Sequence, residues 1–409
     1  MILGVNSFVL FICGGKWQLP WLTYLKNKGH KIILVDPFTT SVCVPFADIH
    51  LQCDARDVEG IVKLIGEMDL NIDFVTSDQT DVSTTTVAEL SAYFGTLGNS
   101  VESVNRFSNK AINREFVSAV GRKQLPDFCK VSSAEELLAF IQNSQSAVML
   151  KPADAQSSRG VNKLAKESTL TDCELALQQA FQHTVLDYVL AESFVHGFEI
   201  TVEGLMTPVG HHTLAISSKK HFRTGIASEL RYPANLNSQL EQELIAFHNG
   251  LIQNTGLDFG ITHAEYIVDK NEFFLIEMAC RGGGSLIPSD IVPWVSGVNL
   301  YDALYKLQNG ETPDVQKKQR QGSALLHFFE FSAGEVVEII GVDKAKNLPG
   351  VHCLELEFKV GDILKPAGDD RGRQGYCILF AESDQELNDR LESVLNSIHV
   401  QVNNLEVAV

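Results

Sequence analysis

Two glutamates lie in consecutive apolar runs, Glu265 in THAEYIVD and Glu277 in EFFLIEM. A turn predicted at residues 269–271 would make these runs neighbouring antiparallel strands. Side-chain alternation puts His263 on the face of Glu265, and a suitable register places Glu277 there too. Two buried carboxylates repel each other unless a cation lies between them, and Mg²⁺ prefers such oxygen ligands. The pair indicates a metal site; two solvent-facing glutamates, each paired with a lysine, are the alternative.

An arginine and three glycines follow Glu277 in the segment EMACRGGG, as Arg281 and Gly282 to Gly284. A guanidinium group can hold an oxyanion or a phosphate through two hydrogen bonds. Glycine lets backbone amides approach an anion closely, at a cost in conformational entropy that a plain turn does not require. The segment therefore favours an anion site over a loop that merely turns.

Two further loops are ambiguous when taken alone. Lys151 ends a predicted strand at 147–152 and is followed by ADAQSSRG, which contains one glycine, Gly160, and no Walker pattern. The segment GGKWQ after the first strand lacks the third glycine of a dinucleotide fingerprint. A surface loop and a tight strand-to-helix turn are the simpler interpretations, although an anion at the second helix start remains an alternative.

A basic cluster occurs in SSKKHFRTG, where Lys219, Lys220, His221 and Arg223 lie close together in sequence. In an acidic chain such a cluster suits an anionic substrate, but a solvated loop is an equal alternative. The 12 histidines show no metal-ligand spacing, and neither a Gly-x-Ser-x-Gly elbow nor His-Glu-x-x-His occurs. Hydrolase and zinc-protease chemistry therefore have no support in the sequence.

The elements that would position these residues fall into three regions. In the first region, apolar runs alternate with helical patterns, which predicts a parallel sheet with helices on its faces. Its strands are predicted at 8–13, 31–36 and 73–77, and its helices at 57–68 and 79–94. In the second region, two strands are expected around a turn at His196-Gly197, besides the pair that carries the glutamates. The helices of the second region are predicted at 108–120, 133–143, 237–254 and 298–308.

The last region follows a polar stretch at 311–322 and shows a smaller α+β pattern. Its strands are predicted at 324–330, 352–358 and 376–381, and its helix at 384–396.

Composition narrows the class of protein. The chain has 409 residues, 44% of them hydrophobic, which is too long for one ordinary core. Its formal net charge of −18 makes nucleic acid and anionic membrane poor partners, while a small phosphate ligand is not excluded. The eight cysteines form no Cys-x-x-Cys pair and are expected to be reduced in the cytoplasm. The run FVLFIC lacks the flanks of a signal peptide.

Taken together and in order, these features resemble the ATP-grasp carboxylate–amine ligases, and among them the L-amino-acid (dipeptide) ligase type. The matching segments are RFSNKAINREF, KP with its Ser-Arg-Gly loop, AESFVHGFE and HAEYIV…FLIEMACRGGG. The resemblance covers nearly the whole chain and is weakest after residue 320. It implies an α/β and α+β architecture, the ATP-grasp fold. The implied units are a Rossmann-like pre-ATP-grasp domain at 1–105, the ATP-grasp domain at 106–310 and an α+β subdomain at 311–409.

The resemblance also implies a nucleotide site. Lys110 would reach the phosphates, and Lys151 would lie near the adenine and the α-phosphate. Glu192 would lie beside the adenine amino group, and Glu199 would hold the ribose hydroxyls. The full set expected to bind ATP is Lys110, Lys151, Ser158, Gly160, Glu192, Phe194, Val195 and Glu199.

By the same resemblance, Glu265 and Glu277 would bind Mg²⁺, or Mn²⁺ in its place. Arg281 and Glu277 would be catalytic, with Arg281 steadying the transferred phosphoryl group and the tetrahedral intermediate. The residues expected at the substrates are Arg281, Gly283, Gly284, His221 and Arg223. His221 is also the candidate for the base that activates the amine.

The implied reaction is an ATP-dependent, ADP-forming ligation of a carboxylate, an amino acid by resemblance, to an amine through an acyl phosphate. The partners would be small molecules, and a homodimer is the family expectation. Two departures matter: Ala279 stands where many members have a metal-binding Asn, and Ala155 and Ser157 replace common loop glycines. These departures keep a non-catalytic ATP-binding module as an alternative, and other ATP-grasp chemistry, such as biotin-carboxylase-type carboxylation, is a second alternative.

Overall fold

The computed structural model describes residues 7–68, 70–121, 124–155, 159–223, 225–316 and 322–403. The first region forms the expected parallel sheet, in the order β3-β2-β1-β4. β1 and β2 are apolar along their length because helices cover both faces of the sheet. The elements are β1 (Ser7–Ile12), α1 (Leu19–Asn27), β2 (Ile32–Val35), β3 (Ile49–Leu51), α2 (Val58–Gly66), β4 (Asn71–Thr76) and α3 (Thr84–Phe94).

The next segment forms an antiparallel sheet in the order β5-β8-β6-β7. The helix predicted at 108–120 is two helices, because Asn109 takes an extended backbone and its Oδ1 accepts hydrogen bonds from the amides of Ala111 and Ile112. Lys110 therefore starts a new helix. The elements are α4 (Val101–Ser108), α5 (Lys110–Ala119), β5 (Phe128–Val131), α6 (Ala134–Asn143), β6 (Val148–Lys151), β7 (Asn162–Leu164), α7 (Leu170–Phe181) and β8 (Val189–Ser193).

The central sheet has eight strands, and its first part carries the predicted hairpin. β12 and β13 pair antiparallel, as expected, and connect through Lys270 and Asn271. The basic segment 217–225, predicted as a loop or an anion site, belongs largely to β10, the longest strand in the described part of the chain. The elements are β9 (Phe198–Thr207), β10 (Gly210–Arg223), β11 (Ile226–Tyr232), α8 (Ser238–Asn254), β12 (Gly260–Asp269), β13 (Glu272–Ala279), α9 (Val292–Ser296) and α10 (Leu300–Gln308).

The two strands predicted around His196-Gly197 exist, but they lie in different sheets. β8 belongs to the four-stranded antiparallel sheet, whereas β9 belongs to the eight-stranded one. Gly197 has φ +143°, and a Cβ there would lie 2.1 Å from the carbonyl oxygen of Val268. Only glycine fits where the chain passes this close to β12.

The last region extends the central sheet and also forms a small sheet of its own. β14 pairs with β11, so the order is β13-β12-β9-β10-β11-β14-β18-β16, while β17-β15-β19 form a separate three-stranded sheet. The domain boundaries stay a prediction. The elements are β14 (Ser323–Phe328), β15 (Gly334–Ile340), α11 (Val342–Lys346), β16 (Val351–Leu356), β17 (Ile363–Leu364), β18 (Gly375–Ala381), α12 (Asp384–Ser397) and β19 (His399–Asn403).

One hydrophobic core runs between the regions. It joins α1 and β1 of the first region to α9, α10 and β14, with Trp21, Tyr301 and Leu326 among its members. None of the helices in the described part of the chain has the length and apolar character needed to cross a bilayer.

Candidate active site

The two glutamates face each other across the hairpin. Glu265 on β12 is the direct register partner of Glu277 on β13. Their side chains are 22% and 27% exposed, so they are neither free in solvent nor fully enclosed. The strand register therefore brings two carboxylates to one position, as the alternation of the sequence predicts.

Each glutamate is paired with a lysine from elsewhere in the chain. Lys219 Nζ on β10 lies 2.7 Å from Glu265 Oε1 and also contacts Glu199. Lys110 Nζ at the start of α5 lies 3.1 Å from Glu277 Oε1 and donates to the carbonyl of Ala155 at 2.8 Å. Each glutamate is thus paired with a lysine, as the alternative interpretation predicted, but the pairs lie in a cleft and not on the solvent-exposed surface.

His263 adds a third positive group beside Glu265. Its Nδ1 lies 2.7 Å from Glu203 Oε1, and its Nε2 lies 3.6 Å from Glu265 Oε1. Burial by itself would lower the pKa of His263, but Glu203 and Glu265 outweigh it and raise this pKa to about 9. Lys219 and His263 hold the pKa of Glu265 well below its ordinary value, although burial opposes them. Sequence reasoning missed Glu203, because nothing in β9 alone marks it.

Arg281 is held by the first region of the chain. Its Nε and Nη2 donate to the two carboxylate oxygens of Asp81 at 2.9 and 2.8 Å, and its Nη1 donates to the carbonyl of Gly282 at 3.0 Å. Burial alone would raise the pKa of Asp81, but Arg281 lowers it below its ordinary value. The guanidinium plane is therefore fixed by a fork that leaves other N–H groups for a ligand.

Asp78 anchors the same turn from beneath. Its Oδ1 accepts the amide N–H of Gly282 at 2.8 Å, and its Oδ2 accepts the Tyr301 hydroxyl at 3.0 Å. Burial raises the pKa of Asp78. Asp78 and Asp81 follow β4, and the carboxyl end of a parallel strand is where α/β sheets place ligands, so this signal was available in the sequence.

Gly283 and Gly284 differ in their surroundings. A Cβ on Gly283 would lie 3.1 Å from Glu203 Oε1 and 3.2 Å from His263 Nδ1, so the backbone passes close to this pair. A Cβ on Gly284 would meet nothing within 4 Å.

The residues expected near the adenine form a buried charge cluster. Arg114 Nε donates to Glu192 Oε1 at 2.5 Å, and Lys151 contacts the other oxygen of the same carboxylate. Burial favours a high pKa for Glu192, but these two cations lower it, while burial lowers the pKa of Lys151. The Glu192 side chain is therefore already engaged, and Arg114 is a partner that sequence reasoning did not identify.

Of the remaining predicted residues, Phe194, Val195 and Gly160 lie outside the helices and strands. The amide N–H of Phe194 donates to the carbonyl oxygen of Ala147 at 2.7 Å, and the carbonyl oxygen of Phe194 accepts a hydrogen bond from the Ser146 hydroxyl at 2.9 Å. Gly160 has φ +70°, as a loop glycine often does. Val195 lies in the segment between β8 and β9, and Ser158 lies outside the described residues.

His221 and Arg223 occupy different positions. His221 Nε2 lies 3.2 Å from Glu199 Oε2, and Glu199 shares Lys219 with Glu265. Arg223 donates to Glu330 at 2.6 and 3.2 Å and to the carbonyl of Ala367. Neither His221 nor Arg223 is among the residues that line the cavity beside Glu265 and Glu277. The predicted role of Arg223 at the substrate gains no support from this placement.

A cavity of about 440 Å³ lies against this constellation. The predicted residues on its wall are Glu265, Glu277, Arg281 and Gly284. Its other walls come from the first region through Trp17 and Gln79, and from the last region. All three regions thus enclose one volume, which is in the range of small-molecule sites.

The carboxylates fit the metal that the resemblance implies. Glu265 and Glu277 are two hard oxygen donors at one register position, and Mg²⁺ is commonly held by one or two carboxylates together with substrate phosphates. Across the described residues, no group of three or more His, Cys, Asp and Glu side chains could hold a metal without help. Substrate phosphate oxygens and water would complete such a site.

Comparison with family models gives two matches. Residues 144–289 match a model described as an ATP-grasp domain, and residues 327–403 match one described as L-amino acid ligase C-terminal domain 2. A protein of Sinorhizobium fredii, named only as uncharacterized protein y4rH, is 25% identical over 317 residues, or 76% of this chain. The chain spans 65% of the length of that relative.

Solved structures are similar over almost the whole chain. The L-amino acid ligase from Bacillus licheniformis superposes with a TM-score of 0.79 at 17% identity, covering 98% of this chain and 99% of that one. The phosphoribosylglycinamide synthetase from Anaerococcus prevotii gives a TM-score of 0.76 at 17% identity, covering 97% and 100%. At this identity the likeness concerns the fold, and it confirms the expected architecture.

Proposed function

Because the chain belongs to the ATP-grasp ligases, with a C-terminal domain of the L-amino acid ligase type, we propose that it joins a carboxylate to an amine with conversion of ATP to ADP. The observation that carries this proposal is the pairing of Glu265 with Glu277 at the cavity that Arg281 also lines. The acid substrate, by resemblance, is an amino acid.

The chain's own residues would prepare the nucleotide. The charge of Lys110 is paired with Glu277 and that of Lys151 with Glu192, and triphosphate oxygens would compete for these cations. Mg²⁺, held by Glu265 and Glu277, would neutralise developing charge on the phosphates. Glu199, Phe194 and Val195 would contact the nucleoside, as the resemblance implies.

Arg281 would then act on the acyl group. Attack of the substrate carboxylate on the γ-phosphorus gives an acyl phosphate and ADP, and attack of the amine on the acyl carbon releases phosphate. Arg281 and the amides near Gly283 and Gly284 would stabilise the oxyanion, an effect of about 3–4 kcal/mol per donor. Since the Asp81 fork fixes Arg281 before substrate arrives, little reorganisation is needed.

The amine must lose a proton before it attacks. His263 is charged at neutral pH, because its pKa is raised to about 9, and cannot accept that proton. His221 remains the proposed base through its position beside Glu199.

The direct test is ADP release from Mg-ATP by the purified full chain, over pairs of amino acids and small carboxylates, with one bicarbonate-only reaction. ADP release that requires a carboxylate and an amine together supports the ligase. Release with bicarbonate alone supports carboxylation. ATP binding without ADP release across the panel supports the non-catalytic module. The loss of the metal-binding Asn at Ala279 would then be the proposed reason for the missing activity.

The proposed binding partners, cellular compartment and oligomeric state follow from the same resemblance. Both substrates would be small molecules, the enzyme would work in the cytoplasm, and it would form a homodimer.

Glu277→Ala should abolish ADP release; full turnover in that variant would remove Glu277 from the proposed site.

A further inference from the structure

Arg114 links the four-stranded sheet to the eight-stranded one and has no role in the proposed mechanism. It lies in the middle of α5, and its side chain is fully buried. All three nitrogens of its guanidinium group donate hydrogen bonds: Nε to Glu192 Oε1 at 2.5 Å, Nη2 to the carbonyl oxygen of Ile276 at 2.5 Å, and Nη1 to Asn113 Oδ1 at 2.7 Å. A planar group held at three nitrogens has a fixed orientation.

The carbonyl oxygen that Arg114 holds belongs to a β-bulge directly before a metal-site glutamate. Glu277 is paired with Glu265 on β12, and the register then shifts, so that Ile276 is an extra residue in β13. A bulge bends its strand and re-aims the neighbouring side chains, and bulges recur beside active sites. The direction of the Glu277 side chain therefore depends on how the backbone at Ile276 is fixed, and Arg114 fixes it.

A second cation of α5 spans the same gap. Lys110 lies one helical turn before Arg114, and residues four apart are neighbours on one face of a helix. Lys110 Nζ donates to Glu277 Oε1 at 3.1 Å and to the carbonyl oxygen of Ala155, which follows β6, at 2.8 Å. Lys110 and Arg114 thus hold consecutive residues of β13 at one end and parts of the four-stranded sheet region at the other.

Apolar residues of α5 also pack on both sides. Ala111 packs with Ala153 and Leu190 next to the four-stranded sheet, whereas Val117 belongs to the core that β12 and β13 share with α8. The helix is therefore common to both sheets. The contacts of Arg114 cross from one sheet to the other within a packed, buried element, where a side chain has little freedom to move.

We propose that Arg114 is a positioning residue that aims Glu277 at the metal by fixing the bulge at Ile276, and that Glu192 holds Arg114 in place for this task. The strength of the metal site would then depend on a carboxylate at the adenine end of the nucleotide site. The inference rests on the proposed function, because it takes Glu277 as a ligand of Mg²⁺ and Glu192 as the residue beside the adenine.

The test is calorimetric binding of ADP to the full chain, once with a chelator and once with saturating Mg²⁺. The ratio of the two dissociation constants, here called the metal gain, reports on the metal site without any turnover, and Mg²⁺ should tighten binding to wild type. Arg114→Lys keeps a charge beside Glu192 but loses the planar fork, so the bulge loses its contact. The metal gain should fall by about tenfold or more, while the Kd of metal-free ADP should change by less than about threefold.

Glu192→Gln tests the same link from its other end and does not depend on how the lysine variant folds. It keeps the shape of the side chain but removes the charge that holds Arg114, so the guanidinium can leave the carbonyl oxygen of Ile276. The metal gain should fall by about threefold or more, although Glu192 is not a proposed metal ligand.

The matched control is Arg106→Lys. Arg106 on α4 likewise holds one glutamate, Glu102, and one backbone carbonyl oxygen, that of Thr255, and neither belongs to the proposed nucleotide site. This variant should leave the metal gain within about twofold of the wild-type value, because its ion pair is partly exposed and contributes little.

The outcomes separate the role of Arg114 from the reaction. An unchanged metal gain in Arg114→Lys, an equal fall in Arg106→Lys, or a wild type that binds ADP no better with Mg²⁺ overturns the positioning role. An unchanged gain in Glu192→Gln overturns the link to the adenine end. ADP release over the substrate panel, with an unchanged gain in Arg114→Lys, keeps the ligase and rejects the role. A gain that depends on Arg114, in a protein that never releases ADP, keeps the role and rejects the ligase.

Discussion

At the scale of single residues, the most informative contact is the fork between Asp81 and Arg281. A guanidinium with one carboxylate partner can rotate away from a ligand when that partner is removed. We therefore expect Asp81→Asn to lower kcat for ADP release by about 10- to 100-fold, with the nucleotide Kd changed by less than about threefold. Asp81 does not touch the proposed reacting atoms, so this is a positioning effect.

The matched control for this prediction is Glu102→Gln. It removes a carboxylate that pairs with Arg106 on an exposed helix face, where ion pairs contribute little. Steady-state kinetics and binding of an ATP analogue measure the two quantities. Equal losses in kcat and in nucleotide affinity would show that Asp81 supports the fold of the cleft rather than the orientation of Arg281.

The pair of His263 and Glu203 predicts a pH dependence. The pKa of His263 is raised to about 9 in the folded chain, against about 6.5 when unfolded, so folding favours its protonated form. The stabilisation is complete below about pH 6.5 and is lost as the pH rises through about 9; the shift corresponds to an energy on the order of 3 kcal/mol.

Urea unfolding without metal measures this effect. Between pH 6.5 and 9.5 the unfolding free energy of wild type should fall relative to that of Glu203→Gln, in which the pKa of His263 has lost its main support. An NMR titration that places the His263 pKa near 6.5 in wild type would contradict the prediction.

At the scale of elements, Gly197 sets where the chain changes sheet. Gly197→Ala should lower the unfolding free energy by about 2–4 kcal/mol, since its Cβ would lie 2.1 Å from a backbone oxygen at an unfavourable φ. Gly361→Ala is the control, because Gly361 also has positive φ but an added Cβ meets nothing within 4 Å. Urea unfolding should show the larger loss in Gly197→Ala; equal losses would mean that φ alone matters.

The elements also show what the sequence could and could not predict. Periodicity found the hairpin and placed Glu265 beside Glu277, because alternation and a short turn are local properties. It did not predict that β8 and β9 belong to different sheets, because the strands they pair with lie far away in the sequence. It likewise took Lys219 for a residue of a basic loop, since the acids that bury it, Glu199 and Glu265, come from two other strands.

The candidate site follows the same division. Arg281 and the glycines stand out in one short segment, so their chemistry could be read from residue types alone. Asp81 lies about 200 residues away in the chain, and only the folded arrangement brings its carboxylate to Arg281.

At the scale of the whole molecule, β11 and β14 join the second and last regions through backbone hydrogen bonds. We expect amides of Leu230 and Leu326 to show similar hydrogen-exchange protection and to lose it at the same urea concentration, because they pair directly. Hydrogen exchange with mass spectrometry resolves the peptides, and α12, on the outside of the last region, serves as the internal reference. Earlier exchange of β14 than of β11 would indicate that the last region opens by itself.

The continuous eight-stranded sheet also bears on how such enzymes diversify. Domains joined only by a linker can be replaced without disturbing each other. Here any replacement of the last region must supply a strand in register with Glu229 to Tyr232. A hybrid made by grafting a relative's C-terminal region would keep its sheet only if that register were copied. The strand that keeps this register, β14, also places Leu326 and Phe328 on the cavity wall. The same six residues must therefore both preserve the sheet and change whenever the shape of the cavity changes.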